Sequence, residues 1–345
     1  MIIGVNQAWF APPSGVSSTI NFGNDINRAD FERSVVDAFD KLQLTGSSVI
    51  GIWAFEGNHP EGVSPLQNNR PSESLRVNPT ILSNLRRIMQ LALRRRIKIK
   101  WTLIAPMTGD GPIQSIYSEI LSNLNVAQLF YNNTIRPFLN IIVTTTPSGN
   151  LIGSLFYIDL VNEINFCVNK GYCNWNQACA WMNSIASWIH RDFNNLITIT
   201  VSVAFHFPTS LISRWTSLEE QQNCLRFLNN ARTIGLLDIH IYNDTGEVPN
   251  STQLLRDGRL SKAVVLGEFG QKDSDVDDNL QTTVIQNFLN NSLRQRYYAV
   301  IGWRLITHFQ QHDINHGYFV NIANPLNYSA RPVVGTMRNW ISNNP

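Results

Sequence analysis

"FYIDLVNEINF" (residues 156–166) reads as a buried strand that stops on an amide and a carboxylic acid. The run from Phe156 to Val161 is almost continuously apolar, as in strands covered on both faces of a parallel sheet. A carboxylate at the end of such a strand is costly unless it is paired or does chemistry. "AVVLGEFGQ" (263–271) repeats the arrangement, with Glu268 among glycines.

Runs of the same kind appear at 2–9, 47–55, 97–104, 155–162, 197–205, 236–242, 263–268 and 297–303. Helical periodicity lies between most of them. Over 30–46, Asp30 reads as an N-cap, Phe31, Val35, Val36, Phe39 and Leu42 as the apolar stripe, and Gly46 as the stop. Further helices fit 79–96, 114–140, 174–193, 217–234 and 278–295, and a closing one fits 331–342. The connection between the sixth and seventh strands is short, with no clear helix. Eight strands alternating with helices over 345 residues predict an α/β fold, a single-domain (β/α)8 TIM barrel over 1–345, and not an open doubly wound sheet. The open sheet's G-x-G-x-x-G and G-x-x-x-x-G-K-[ST] loops are missing, as are a G-x-S-x-G elbow and an H-E-x-x-H helix.

Composition narrows the partners. Hydrophobic residues make up 43% and charged residues 15%, enough for a large core. A formal charge of +2 without a basic block argues against nucleic acid. "LRRIMQLALRRRIK" (85–98) reads as a solvated helix face with Arg favoured at its C-terminus. No run of 18 apolar residues exists, so no membrane partner is expected, and neither is an oligomer. The first strand follows Met1 with no charged leader or cleavage site, which leaves the compartment open between the cytoplasm, export without a leader, and export with a leader removed. The N-x-S/T matches at Asn132, Asn243, Asn250, Asn290 and Asn327 do not separate these.

Cys167, Cys173 and Cys179 follow the fourth strand closely, and Cys224 stands apart. Their spacing, with no nearby His, does not suit zinc. A loop disulfide between Cys167 and Cys173 stays open, with free thiols the default. His308, His312 and His316 fall in the loop after the eighth strand, a poor setting for a metal. No metal and no cofactor are expected.

In such a barrel the functional groups sit at the C-terminal ends of the strands. Those ends carry Asn162 and Glu163 (fourth), Glu268 (seventh), His240 and Tyr242 (sixth), Trp303 (eighth), Trp53, Phe55 and Glu56 (second) and His206 (fifth). One Glu at a strand end is most simply an ion-paired residue. Two on non-adjacent strands can face each other across the mouth, and about 5–5.5 Å between carboxyl groups suits double displacement at a sugar's anomeric carbon. Trp9, Phe10, Trp53 and Phe55 fit either core or sugar-stacking positions. Asp159 shares the inward side of the fourth strand and would need a partner.

"GVN" (Gly4–Asn6), "VNE", "HIY", "GEFG" and "GW", in that order along nearly the whole chain, resemble the retaining glycoside hydrolases of clan A, above all family 5 and its mannanase-like and cellulase-like members. The resemblance implies that Glu163 is the general acid/base and Glu268 the nucleophile. It places Asn162 on the sugar 2-hydroxyl, Tyr242 on the nucleophile, His240 beside the same subsite and Trp303 under the ring. The substrate implied is a β-linked poly- or oligosaccharide of glucose or mannose type. A phenol donor is expected to keep Glu268 ionised with a low pKa, and an apolar setting to keep Glu163 protonated. Two departures stand out: relatives usually carry an Arg late on the second strand, where this chain has Gly51 and Trp53, and Pro commonly follows Asn-Glu, where it has Ile164. The rivals are a transglycosylase using the same pair, an inactive carbohydrate-binding barrel, and a phosphate-binding aldolase-type barrel, which would want a strand-end Lys.

Overall fold

The computed structural model describes residues 1–7, 29–55, 66–67, 76–77, 79–105, 112–147, 149–204, 234–251, 262–270, 278–308, 318–321 and 328–345. The apolar runs become parallel strands: β1 (Ile2–Asn6), β2 (Val49–Trp53), β3 (Lys98–Ile104), β4 (Leu155–Val161), β6 (Leu236–Tyr242), β7 (Ala263–Gly270) and β8 (Ala299–Gly302). The remaining strand, β5, comes in two pieces, Ile199–Thr200 and Ser202–Ala204. Its first piece pairs with β4 and its second with β6, while β1 lies between β8 and β2, so the ring returns on itself. The fold is the expected (β/α)8 barrel.

The seam in β5 is closed by side chains. Where the strand changes partner, the Ser202 N–H donates to Asp159 Oδ1 at 2.9 Å, and Thr200 Oγ1 donates to the Leu236 carbonyl at 2.9 Å. Asp159, whose partner could not be named from sequence, stands in for a missing ladder bond. Its carboxyl is pushed up to about 7 by burial, against the pull of Lys100.

The helices follow the apolar periodicity. α1 (Ala29–Leu44) starts before Asp30, which therefore lies in its first turn and is not the N-cap. α2 is Pro79–Arg94. The helix expected over 114–140 is three: α3 (Pro112–Ser122), α4 (Leu124–Phe130) and α5 (Arg136–Ile142). Asn123 caps α4, and a π-helical turn, Tyr131–Ile135, joins α4 to α5. A short α6 (Ile164–Asn169), not foreseen, follows β4. α7 (Trp175–Phe193) opens on a reciprocal capping box between Asn174 and Gln177 and buries Ala178, Trp181, Met182, Ile185, Ala186 and Ile189 along one stripe. α8 (Asp278–Arg294) and α9 (Pro332–Asn343) pack together, with Trp340 Nε1 donating to Asn290 Oδ1 at 2.7 Å. All of the helix expected over 217–234 except Ile234, and residues 252–261 of the β6–β7 connection, lie outside the described residues. No helix among the described residues is long and apolar enough to cross a membrane.

Strand alternation divides the core. Residues such as Ile50, Ile99, Trp101, Ile158, Leu160, Ile239 and Val300 face outward into a continuous apolar shell with the helices. Each fully buried aliphatic side chain contributes about 1.5–3 kcal/mol, so this shell holds the barrel together. Val49, Tyr157, Leu236, Val265, Ala299 and Ile301 form a smaller apolar floor inside the ring. Above it the interior turns polar, with Asn6, Lys100, Thr102, Asp159, Ser202 and Asp238 all buried.

Candidate active site

Glu163 follows the end of β4, after the Asn162 N–H makes a ladder bond to the Ile104 carbonyl at 2.8 Å. Its backbone is left-handed (φ 51°, ψ 63°), a conformation that costs a non-glycine residue about 1–3 kcal/mol. The turn is held by the Glu163 N–H, which donates to Ser202 Oγ at 2.9 Å. It brings Glu163 Oε1 to 3.1 Å from His240 Nδ1.

Glu268 reaches the same place through a bulge. Ile239 pairs with Leu266, but His240 pairs with Glu268, leaving Gly267 extra. The bulge changes the parity of β7: Val265 faces the barrel floor, Leu266 and Phe269 face the outer shell, and Glu268 turns inward. Only glycine fits the extra position, because a Cβ there would lie 1.8 Å from Asp238 Oδ1. The freed Gly267 carbonyl accepts from Asn6 Nδ2 at 3.1 Å and Lys100 Nζ at 3.0 Å.

One carboxylate oxygen of Glu163, one of Glu268 and a ring nitrogen of His240 lie within 4.8 Å of one another. Tyr242 Oη donates to Glu268 Oε1. Glu268 Oε2 has no hydrogen-bond partner among the described residues and lies 3.8 Å from His240 Nδ1. Trp53 and Trp303 sit beside the pair with ring centroids 5.7 Å apart, and Tyr242 packs on them. Asn162 is buried at the end of β4. The structure thus brings Glu163, Glu268, Asn162, His240, Tyr242, Trp303 and Trp53 to one end of the ring. His206, Trp9, Phe10, Glu56, His312 and His316 lie outside the described residues, as does the side chain of His308. Phe55 belongs to the outer shell, edge-on to Phe138 and Phe130.

The electrostatics correct one expectation. Glu268 is raised, not lowered: burial and the Glu163 carboxylate push its carboxyl up, against His240, Tyr242 and Lys100. Burial opposes the His240 imidazolium, but the surrounding carboxylates outweigh both burial and Lys100 and leave it raised. Cys167 and Cys173 are buried free thiols, not a disulfide, and Cys179 is also free. Burial lifts Cys173 to about 11, which makes it a poor nucleophile. Cys224 lies outside the described residues.

No sequence signal had singled out Lys100, Asp238 or Tyr157. Tyr157 Oη donates to Asp238 Oδ2 at 2.8 Å, and Lys100 Nζ lies 3.2 Å from the same oxygen. The usable signal was charge inside a buried strand, "KIKWTLI" and "LLDIHIY", on the side that faces the barrel axis. A second triplet of ligating side chains, Asp159, Asp238 and His240, also clusters within 4.8 Å. There the Lys100 ammonium already supplies the cation. Ion pairing keeps Lys100 raised despite burial, which makes it a poor imine-forming amine.

No family model matches the chain, and neither does the sequence of any curated protein. Solved structures do. A β-mannanase from the blue mussel Mytilus edulis superposes with a TM-score of 0.62 at 13% identity, over 98% of this chain and 91% of that one. An exo-β-1,4-mannosidase from Opitutaceae bacterium strain TAV5 gives 0.66 at 14%, over 100% of this chain and 59% of that one. A β-1,4-D-mannanase from Cryptopygus antarcticus gives 0.61 at 17%, over 88% and 84%. At such identities the likeness establishes the fold.

Proposed function

We propose that the protein is a retaining glycoside hydrolase acting on β-linked glucose- or mannose-type poly- or oligosaccharides. The observation that carries this is the approach of the Glu163 and Glu268 carboxylates to within 4.8 Å at one end of the barrel, the close spacing that double displacement requires. Glu268 is the nucleophile: Tyr242 fixes Oε1, leaving Oε2 for the anomeric carbon. Glu163 is the acid that protonates the leaving oxygen and then the base that activates water. Asn162 meets the 2-hydroxyl, His240 lines the subsite, and Trp303 with Trp53 supplies apolar surface for the sugar ring. The solved structures with the same fold are named as mannanases and a mannosidase, which favours mannose-type β-1,4-linked chains within the substrate class.

The test is a panel of aryl β-glycosides and β-glycans, with wild type beside Glu268→Ala. Turnover of a β-mannoside or β-glucoside that the variant abolishes is the expected result. Binding of β-glycans without turnover in wild type would replace the enzyme with a carbohydrate-binding barrel. Sugar transfer in place of hydrolysis would make it a transglycosylase.

A further inference from the structure

Below the two carboxylates lies a buried cation that the proposed chemistry does not use directly. Lys100 extends from the middle of β3 and is 1% exposed. An ammonium has three donors and no acceptor. Three acceptors meet it: the Gly267 carbonyl at 3.0 Å, Asp238 Oδ2 at 3.2 Å and His240 Nε2 at 3.4 Å. A ring nitrogen facing a group that can only donate must be the acceptor of the ring. The proton of the neutral imidazole then sits on Nδ1, the nitrogen 3.1 Å from Glu163 Oε1.

We propose that Lys100 is a positioning residue that holds His240 as its Nδ1–H tautomer and thereby keeps the transferable proton of Glu163 on Oε2. The second half rests on the acid/base reading of Glu163. A carboxylic acid whose Oε1 accepts from Nδ1–H carries its own hydrogen on Oε2. The opposite tautomer would make Nδ1 an acceptor and draw the acid's hydrogen onto Oε1, toward the ring. It would also point an N–H at the ammonium.

The other charged groups around the ring do not reverse this. Asp238 Oδ1 is 3.7 Å from Nε2, farther than Lys100. Glu268 Oε2 is 3.8 Å from Nδ1, so it favours a proton on the same nitrogen. Asp159 lies within 4.8 Å but is engaged by the Ser202 N–H.

The tautomer can be read directly by ¹⁵N NMR of the full chain labelled at histidine, with the His240 signals assigned by their loss in His240→Gln. Above the ring's titration, wild type should show Nδ1 protonated and Nε2 bare. Lys100→Met should switch the pattern to Nε2–H. Because that change strands the Asp238 charge, Lys100→Met/Asp238→Asn serves as a second variant, which removes both charges of the ion pair and keeps an amide acceptor near Nε2. A wild-type ring that is Nε2–H, or doubly protonated throughout the folded range, overturns the proposal whatever the variants do. So does an unchanged Nδ1–H tautomer in either folded variant. The kinetic companion is leaving-group dependence: the variants should lose kcat on poor leaving groups far more than on activated aryl glycosides, with KM little changed. A tautomer switch without that split upholds the hold of Lys100 on the ring and overturns the acid role of Glu163.

Discussion

A Cβ on Gly267 would lie 1.8 Å from Asp238 Oδ1, and Asp238 cannot yield because Tyr157 and Lys100 hold its other oxygen. The bulge that turns Glu268 inward therefore depends on the absence of one methyl group. Gly267→Ala should cost about 1–3 kcal/mol through overpacking and most of the activity, through displacement of Glu268. Gly335→Ala is the control. That glycine lies on α9 with open space at its Cβ position, so the change should stabilise by about 0.5–1 kcal/mol. Urea unfolding of the two variants checks both signs, and equal stability would refute the account of the bulge.

The roles of the two carboxylates separate by leaving group. Glu163→Ala should lose about 10²–10⁴-fold on substrates whose leaving group needs a proton, and far less on activated aryl glycosides. Azide should restore turnover and give a β-configured product. Glu268→Ala should lose both substrate types, because no covalent intermediate can form. Parallel losses in the two variants on every substrate, without azide rescue, would reject the assignment.

Tyr242→Phe removes a donor that lowers the pKa of Glu268. The nucleophile works ionised, so kcat/KM rises as pH climbs through the lower apparent value of the coupled pair. Losing the phenol raises that value further and moves the acidic limb to higher pH, with turnover down about 10²-fold. A pH–rate profile of both proteins decides it. An unmoved limb and an unchanged rate would leave Tyr242 as a pocket wall.

Asp159 gives a stability test independent of catalysis. Its carboxyl is raised from 3.8 to about 7, so the folded protein holds that proton more tightly than the unfolded chain. The stabilisation from this linkage is full below 3.8 and is lost as pH climbs to about 7. Asp159→Asn cannot titrate. Unfolding free energies measured from pH 4 to 8 should show the variant gaining on wild type as pH rises, and a constant difference would contradict the shift.

The barrel was legible because the outer face of each strand is apolar and the helices between them keep their stripe. Glu163 and Glu268 were legible because a carboxylate at the end of such a run has no cheap structural reason to be there. The rest depended on relations across the ring. Lys100 and Asp238 are distant in sequence, and only strand register brings them together. Nothing in "GEFG" declares that its first glycine is a bulge, yet that shift decides which way Glu268 points. The raised pKa of Glu268 was not legible, because the burial that outweighs the Tyr242 donor comes from packing across the ring. The split of β5 had no signature, since Thr200 and Ser202 look like ordinary strand residues until Asp159 and Leu236 are seen to bond them.

Ile2 pairs with Ala299, so β1 hydrogen-bonds to a strand that emerges from the ribosome nearly three hundred residues later. At about 5–20 residues per second, β1 waits on the order of 15–60 s with one edge bare. During that interval the nascent chain is an open sheet that could accept a strand from a neighbouring polypeptide. Ring closure therefore completes only once β8 has left the ribosome.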